Sequence, residues 1–353
     1  CCTVPDSLNI RDKDLFRQRS VIGLFLGPLF FLLILLLPLP DGMAPAGLRV
    51  AAVTVLMAVW WVTEAIPVPA TALLPVLLFP LLGVLSGSDV TRAYGNHLIY
   101  LFLGGFLIAV TMERWNLHHR IALHTIRIVG YTPQRIVLGF MLATAFLSMW
   151  ISNTATTMMM VTIAIAVLKE MEREMEHGSG QLWFGTILML AICYAASIGG
   201  VATLIGTPPN VIFAGVVEKT WGVSISFTAW MGFALPLSLV MLAITWFYLT
   251  RILSRGVQTQ LPEGRQLIHG QLERLGPMSR QEKQVAVVFV TVALLWILRG
   301  LYQPAGLAMV KDSTIAIAGA LLLFLIPVNL EKREFLLDWK TAVTIPWDII
   351  ILF

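Results

Sequence analysis

The sequence predicts an all-α polytopic membrane protein, organised as an inverted repeat with a re-entrant hairpin, a broken helix and an incomplete second repeat. Three observations point there. Hydrophobic residues make up 58% of the chain and charged residues 12%, roughly half the charge needed to coat a soluble domain. Apolar runs long enough to cross ~30 Å of hydrocarbon recur through all 353 residues. Two polar clusters interrupt such runs at a depth where the backbone must otherwise be helical.

Other classes find little support. The net charge is +4, with Lys and Arg confined to the stretches between apolar runs. No basic stripe interleaves with aromatics, so nucleic acid is not an expected partner. The three cysteines, Cys1, Cys2 and Cys193, give neither a disulfide framework nor metal-ligand spacing. The Cys1–Cys2 pair is expected to reflect where the chain begins rather than lipidation. Neither a nucleophile–base pair nor a metal cluster is visible at membrane depth, so an enzyme is not expected.

Spans are expected at 21–39, 48–66, 70–85, 98–114, 182–205, 228–250, 284–300 and 313–328, with a ninth beginning near residue 345. The first run lies too far from the N-terminus, and is too long, for a signal peptide. Residues 116–129 mix His118, His119, Arg120, His124 and Arg127 with Ile, Leu and Val, which suits a helix in the headgroup layer. Its histidines are expected to be solvated. Trp60 and Trp61 read as packing or interfacial anchors. Glu64, near a span end, reads equally as a functional carboxylate or as a partner for a neighbouring helix end. The charged run 169–176 reads as a solvated helix end or turn.

The segment 133–168 is apolar for 36 residues, too long for one span and too short for two with a turn. Its middle is polar: Ser148, then Ser152-Asn153-Thr154, then Thr156 and Thr157. Two half-length helices meeting at a polar tip, entering and leaving by one side, would fit. Charge tests the idea, because Lys and Arg concentrate in cytoplasmic loops. With a cytoplasmic N-terminus and a returning hairpin, 19 Lys and Arg fall inside and 5 outside. A single crossing instead gives 11 inside and 13 outside.

An internal repeat adds to this. The run from Thr71 to Pro80 resembles that from Thr314 to Phe324, each followed by a polar stretch beginning at Asp89 or Asp338. Ile99-Tyr100-Leu101-Phe102 then matches Ile350-Ile351-Leu352-Phe353. Residues 1–47 would form the N-terminus and first span, 48–250 the first repeat with its broken helix at 182–217, 251–283 a cytoplasmic linker and 284–353 the second repeat. Five crossings separate the copies, so the second is upside down, a signature of secondary transporters. By that symmetry about 150 residues would follow Phe353, with a second hairpin and a second broken helix.

The second polar cluster runs from Ser197 through Gly199, Gly200, Thr203, Gly206, Thr207, Pro208 and Pro209 to Asn210. Glycines weaken a helix there and the proline pair removes two backbone donors. A broken helix presents amides that can hold a carboxylate and carbonyls that, with hydroxyls, suit Na⁺. Neither cluster contains Lys or Arg. Anion binding would then lean on dipoles and on a co-bound cation, which predicts Na⁺ coupling.

Ser152-Asn153-Thr154 at a hairpin tip, followed about 50 residues later by Gly206-Thr207-Pro208-Pro209-Asn210, resembles the divalent anion:sodium symporter family. Thr63-Glu64-Ala65 followed by Thr71-Ala72-Leu73-Leu74-Pro75 resembles that family's second and third spans, and the likeness covers essentially the whole chain. The resemblance implies a homodimer in a bacterial plasma membrane, each protomer having a scaffold and an elevator-like moving part. It implies a small di- or tricarboxylate, or sulfate, as cargo. Ser152, Asn153 and Thr154 would contact substrate, with Thr207, Pro208 and Asn210 opposite. Na⁺ would lie among Ser148, Ser152, Asn153, Gly199 and Gly200. The family's second Ser-Asn-Thr is absent from these residues. A Na⁺-independent exchanger and an anion channel are the competing expectations.

Overall fold

The computed structural model describes residues 10–174, 179–253, 264–302 and 309–352. The Cys1–Cys2 pair, part of the 251–283 linker and the end of the 169–176 run lie outside them. The chain divides into two compact units, residues 1–99 with 346–353, and residues 100–345.

In the first unit, α1 (Ile10–Leu35) packs along α2 (Pro45–Thr63). The contact is close because Gly23 and Gly27 lie one turn apart on α1. A Cβ on Gly23 would collide with the Thr63 side chain, and one on Gly27 with the Trp60 indole. Small residues spaced by four are how helices approach within a membrane, where apolar burial gives no net drive. Trp60 Nε1 then donates to Gly23 O at 3.1 Å, so Trp60 is a packing residue. Pro45 suits the first turn of α2, where its missing N–H is not needed. Glu64 ends α2 in the left-handed region, φ 49°, with an exposed side chain. Its carbonyl accepts from Ser20 Oγ at 2.9 Å.

The expected span at 70–85 is not one helix. It is α3 (Val68–Ala72) and α4 (Leu74–Leu81), then α5 (Gly87–Ala93). Pro75 cannot donate to Thr71 O nor Pro80 to Val76 O, so proline breaks the ladder twice. Residues 68–81 reach about 21 Å at helical rise, short of the hydrocarbon thickness. The helix Trp347–Leu352 packs on α3.

Helix α6 (His97–Arg114) leads into the second unit. Asn116, left-handed at φ 56°, turns the chain into α7 (Leu117–Val129), which Gly130 ends at φ 118°. Thr132 caps α8 (Pro133–Ser148), and a four-residue tip, 149–152, joins it to α9 (Asn153–Glu174). Next come α10 (Ser179–Val201), a non-helical stretch at 202–207, and α11 (Pro208–Trp221). After these follow α12 (Phe227–Phe247), which runs on into a π-helical turn, then α13 (Gly264–Leu275), α14 (Arg280–Leu301) and α15 (Asp312–Leu325). The expected span 313–328 stops early because Pro327 disfavours helix at the residue before it. Pro327–Asn329 instead pairs antiparallel with Glu334–Phe335 in a small ribbon, ahead of α16 (Trp339–Ala342).

Six helices, those of 18–35, 45–63, 97–114, 183–201, 227–253 and 280–301, are long and apolar enough to cross a membrane among the described residues. Many of their large side chains face outward, among them Phe25, Val62, Phe233 and Val287, as a lipid-facing surface requires.

Helix α7 is amphipathic, with Leu117, His118, Ala122, Leu123 and Ile126 buried against α8. Here one expectation fails. His124 is exposed and His119 half-buried, but His118 is 8% exposed. His118, Ala122 and Ile126 share one helical face by their spacing of four, and that face is the packed one. Burial pulls the His118 imidazole down to about 4, only partly offset by its contact with Met112 O. On the opposite face Arg120 forks onto Glu282 at 3.0 and 3.2 Å and reaches Gly276 O at 3.0 Å. Glu282 also closes a capping box with Ser279 at the start of α14.

Candidate functional site

Both polar clusters lie in the second unit and come together there. The C-terminal end of α8 abuts the C-terminal end of α10 so closely that only glycine fits. A Cβ on Gly199 would lie 2.3 Å from Ala145 O and 2.5 Å from its Cα. A Cβ on Gly200 would lie 2.3 Å from Asn153 Oδ1. Gly199 is thus required by the close approach of two backbones, and Gly200 leaves the space that the Asn153 side chain occupies.

Ser148 is fully buried. Its Oγ lies 2.6 Å from Ala196 O and 2.7 Å from Asn153 Oδ1. A hydroxyl has one proton, so it satisfies only one of these two acceptors in this orientation of the Asn153 amide. The carbonyls before it are taken: Ala145 O by Met149 N–H, and Leu147 O by the N–H groups of Trp150 and Ile151. Ser148 O receives none of these. Three side-chain and backbone oxygens therefore converge with a proton to spare for only one contact. Two of them belong to helices that end here, Ser148 closing α8 and Ala196 standing in the last two turns of α10, where the macrodipole favours a cation.

The broken end of α10 is stitched by protein groups. Its last four carbonyls have no intrahelical partner, yet each is met. Ser238 Oγ donates to Ile198 O at 3.1 Å, Ala202 N to Gly199 O at 3.0 Å, Asn210 Nδ2 to Gly200 O at 2.9 Å and Trp230 Nε1 to Val201 O at 2.9 Å. Asn210 Nδ2 also donates to Thr203 O at 2.7 Å. Thr203 Oγ1, itself buried, donates to Met149 O and ties the break to the tip.

These contacts bear on two expectations. Asn210, read from sequence as substrate-binding, spends its amide nitrogen on two backbone carbonyls and is 6% exposed. It acts as the cap of a broken helix. The N-terminus of α11 is also a poor source of amides for a carboxylate. Pro208 and Pro209 hold its first two positions and the Asn210 N–H goes to Thr207 O at 3.2 Å. Thr207 and Pro208 are half-buried there, and Thr207 makes no side-chain cap.

The start of α9 is better supplied. Ser152 Oγ accepts from Ala155 N at 3.3 Å and Ser152 O from Thr156 N at 2.9 Å. The N–H groups of Asn153 and Thr154, at the positive end of the helix, are not used by the helix itself. Ser152 and Asn153 are half-buried and Thr154 is exposed, so the tip is open to a ligand. The site thus has a cation-favouring face at Ser148, Asn153, Ala196 and Gly200 and an anion-favouring one at Asn153 and Thr154, with Asn153 in both.

Sequence reading missed Ala196, which contributes only a carbonyl and so carries no signature. It passed over Thr203, whose hydroxyl stood in the quoted cluster. Thr156 is fully buried with no partner for its Oγ1, unlike Thr111 and Thr144, which donate to the carbonyl four residues back.

Comparison with known proteins identifies the family. A sodium-dependent dicarboxylate transporter, SdcS, of Staphylococcus saprophyticus is 44% identical over 352 residues, 98% of this chain and 68% of the relative. Its namesake in Staphylococcus aureus USA300 is 46% identical over 349 residues, 97% of this chain and 67% of that protein. Residues 18–353 match the family described as the sodium:sulfate symporter transmembrane region. The chain therefore belongs to the sodium:sulfate symporter family, the divalent anion:sodium symporters that its Ser-Asn-Thr and Gly-Thr-Pro-Pro-Asn motifs resemble.

Proposed function

We propose that this protein carries small dicarboxylates of the succinate, malate and fumarate type across a membrane together with Na⁺. The observation that carries the reading is the oxygen cluster of Ser148, Asn153 and Ala196 beside the open N-terminus of α9. Hard oxygens beside the C-termini of α8 and α10 suit Na⁺, and free amides at a helix N-terminus suit a carboxylate. No Lys or Arg stands in either cluster, so the cation supplies the positive charge that a dianion needs.

Several finer features belong to the same reading. The protein works as a homodimer in a plasma membrane, with its N-terminus in the cytoplasm. The helix–tip–helix of α8 and α9 is re-entrant, which the Lys and Arg distribution supports. Alternating access moves the part bearing the tip against a scaffold, elevator fashion. Ser152, Thr154 and Thr207 complete the substrate contacts, and Gly199 and Gly200 the backbone around Na⁺.

The test is uptake of labelled succinate by proteoliposomes holding the full-length protein, with and without an inward Na⁺ gradient. Accumulation that requires Na⁺ and disappears in Asn153→Ala is the expected result. Uptake indifferent to Na⁺ but dependent on internal dicarboxylate would replace symport with exchange, and unitary currents would replace the carrier with a channel.

A further inference from the structure

The tip has a second anchor, apolar and remote from its hydroxyls. Trp150, between Ser148 and Asn153, is 8% exposed. Its ring lies nearly parallel to that of Trp296, at 6.3 Å and 5°, and stacks on Phe227 at 6.0 Å and 25°. The edge of Phe289 closes the group at 4.9 Å and 87°. Phe227 and Trp296 stack on each other at 4.8 Å. Phe289 and Trp296 are seven residues apart on α14, so they present one face.

The plate is itself fixed by one buried acid. Asp312 Oδ2 accepts from Phe227 N at 3.0 Å, and its backbone carbonyl accepts from Trp296 Nε1 at 2.9 Å. Asp312 Oδ1 is held by Arg299 Nη1 at 2.6 Å, and Arg299 Nε donates to Val310 O at 2.6 Å. Asp312 thereby orients both rings that stack on Trp150, and Arg299 orients Asp312.

The Trp150 side chain has no polar tether. Its Nε1–H is buried without an acceptor, so ring contact alone locates the indole. A small cavity lined by Trp150, Ile205, Phe289 and Trp296 adjoins it, giving the ring room to shift once the plate is lost. Such a shift moves Ser148 and Asn153 with it, because they flank the four-residue tip two and three residues away.

We propose that Trp150 sets the position of the tip, and with it the cation affinity of the Ser148–Asn153 cluster. Asp312 and Arg299 are then positioning residues for a site they do not touch. The inference rests on the Na⁺ reading above, but its test does not need transport. The first readout is the Na⁺ concentration that gives half-maximal thermal stabilisation of the purified full-length protein. The second is the Na⁺ half-saturation and the maximal rate of uptake.

Losing one ring contact corresponds to about a threefold to tenfold loss of affinity when all of it is expressed at the site. Trp150→Ala should raise both Na⁺ midpoints at least about tenfold, with a much smaller change in maximal rate. Trp150→Phe should recover most of that, because it keeps a smaller aromatic ring against the plate and the N–H it loses has no partner. Asp312→Asn keeps the shape and loses the charge pairing; it should raise the midpoint about threefold or more. The double variant Trp150→Ala/Asp312→Asn should match Trp150→Ala alone, since Asp312 acts through the plate. Should Trp150→Ala not fold, Trp150→Leu takes its place in the cycle.

An Asp312→Asn effect that persists undiminished without the Trp150 ring overturns the inference. So does a Trp150→Phe variant as impaired as Trp150→Ala, or a wild-type protein that Na⁺ does not stabilise. A wild type that Na⁺ stabilises but that shows no Na⁺-driven uptake removes the transport reading and leaves this one standing.

Discussion

Substituting Gly199 by Ala adds one methyl group at the point where α8 and α10 touch through their backbones. The new Cβ would stand 2.3 Å from Ala145 O and 2.7 Å from its carbonyl carbon. Both are main-chain atoms, so no side chain can rotate aside, and contact returns to van der Waals distance only after about 1 Å of helix displacement. Overpacking of this kind costs about 1–3 kcal/mol. The same displacement acts on Ser148, one turn after Ala145 on α8, whose Oγ now lies 2.6 Å from Ala196 O. Opening that distance by about 1 Å leaves no hydrogen bond and spoils the cation cluster. The assay pairs thermal unfolding of the purified protein with the Na⁺ midpoint for stabilisation. Gly232→Ala is the control, since a Cβ there meets nothing within 4 Å and helix propensity alone favours Ala by about 1 kcal/mol. Gly199→Ala should lower stability and raise the Na⁺ midpoint, while Gly232→Ala does neither. A Gly199→Ala protein with wild-type stability and Na⁺ response would refute the close-approach argument.

Asn210→Leu strips donors from Gly200 O and Thr203 O, two buried carbonyls, and should destabilise by about 2–3 kcal/mol; an unchanged melting temperature would return Asn210 to the substrate. Burial lowers the His118 imidazole from its ordinary 6.5 to about 4 in the fold. The unfolded chain therefore binds the extra proton, and stability is complete above about pH 6.5 and falls as pH drops toward 4, by roughly 3 kcal/mol at most. His118→Leu should flatten that part of the stability–pH curve, and an equally steep curve in the variant would place the pH sensitivity elsewhere.

The long helices were legible because their signal is additive. Eighteen or more apolar residues outvote any single residue, and the ends of α6 and α12 fall within a few residues of the apolar runs. The short elements were not, because one residue decides them. Pro75 splits an apolar run that composition reads as a span, and Pro327 shortens another. The two polar clusters were legible as clusters, since hydroxyls and amides inside apolar sequence demand a partner. Which partner each takes was not. Asn210 and Asn153 look alike in the sequence. One turns its nitrogen to the carbonyls of a broken helix and the other turns its oxygen to a buried serine. His118 failed for a related reason. A charged-looking helix has two faces, and only packing decides which of them the histidine occupies.

The geometry of the site also bears on why cation and anion should travel together. The carbonyl ends of α8 and α10 meet at Ser148 and Gly199, and the amide end of α9 begins five residues later at Asn153. Partial charges of about half a unit at such ends cannot alone balance a dianion in a partly buried site. In the proposed site the two ions would also share a ligand, because Asn153 can offer its side-chain oxygen to one and its backbone N–H to the other. A cation that fixes the Asn153 amide therefore preorganises the anion site as well as adding charge to it. Both contributions are favourable only when both ions are present, which by linkage makes each ion tighten the other's binding by the same factor.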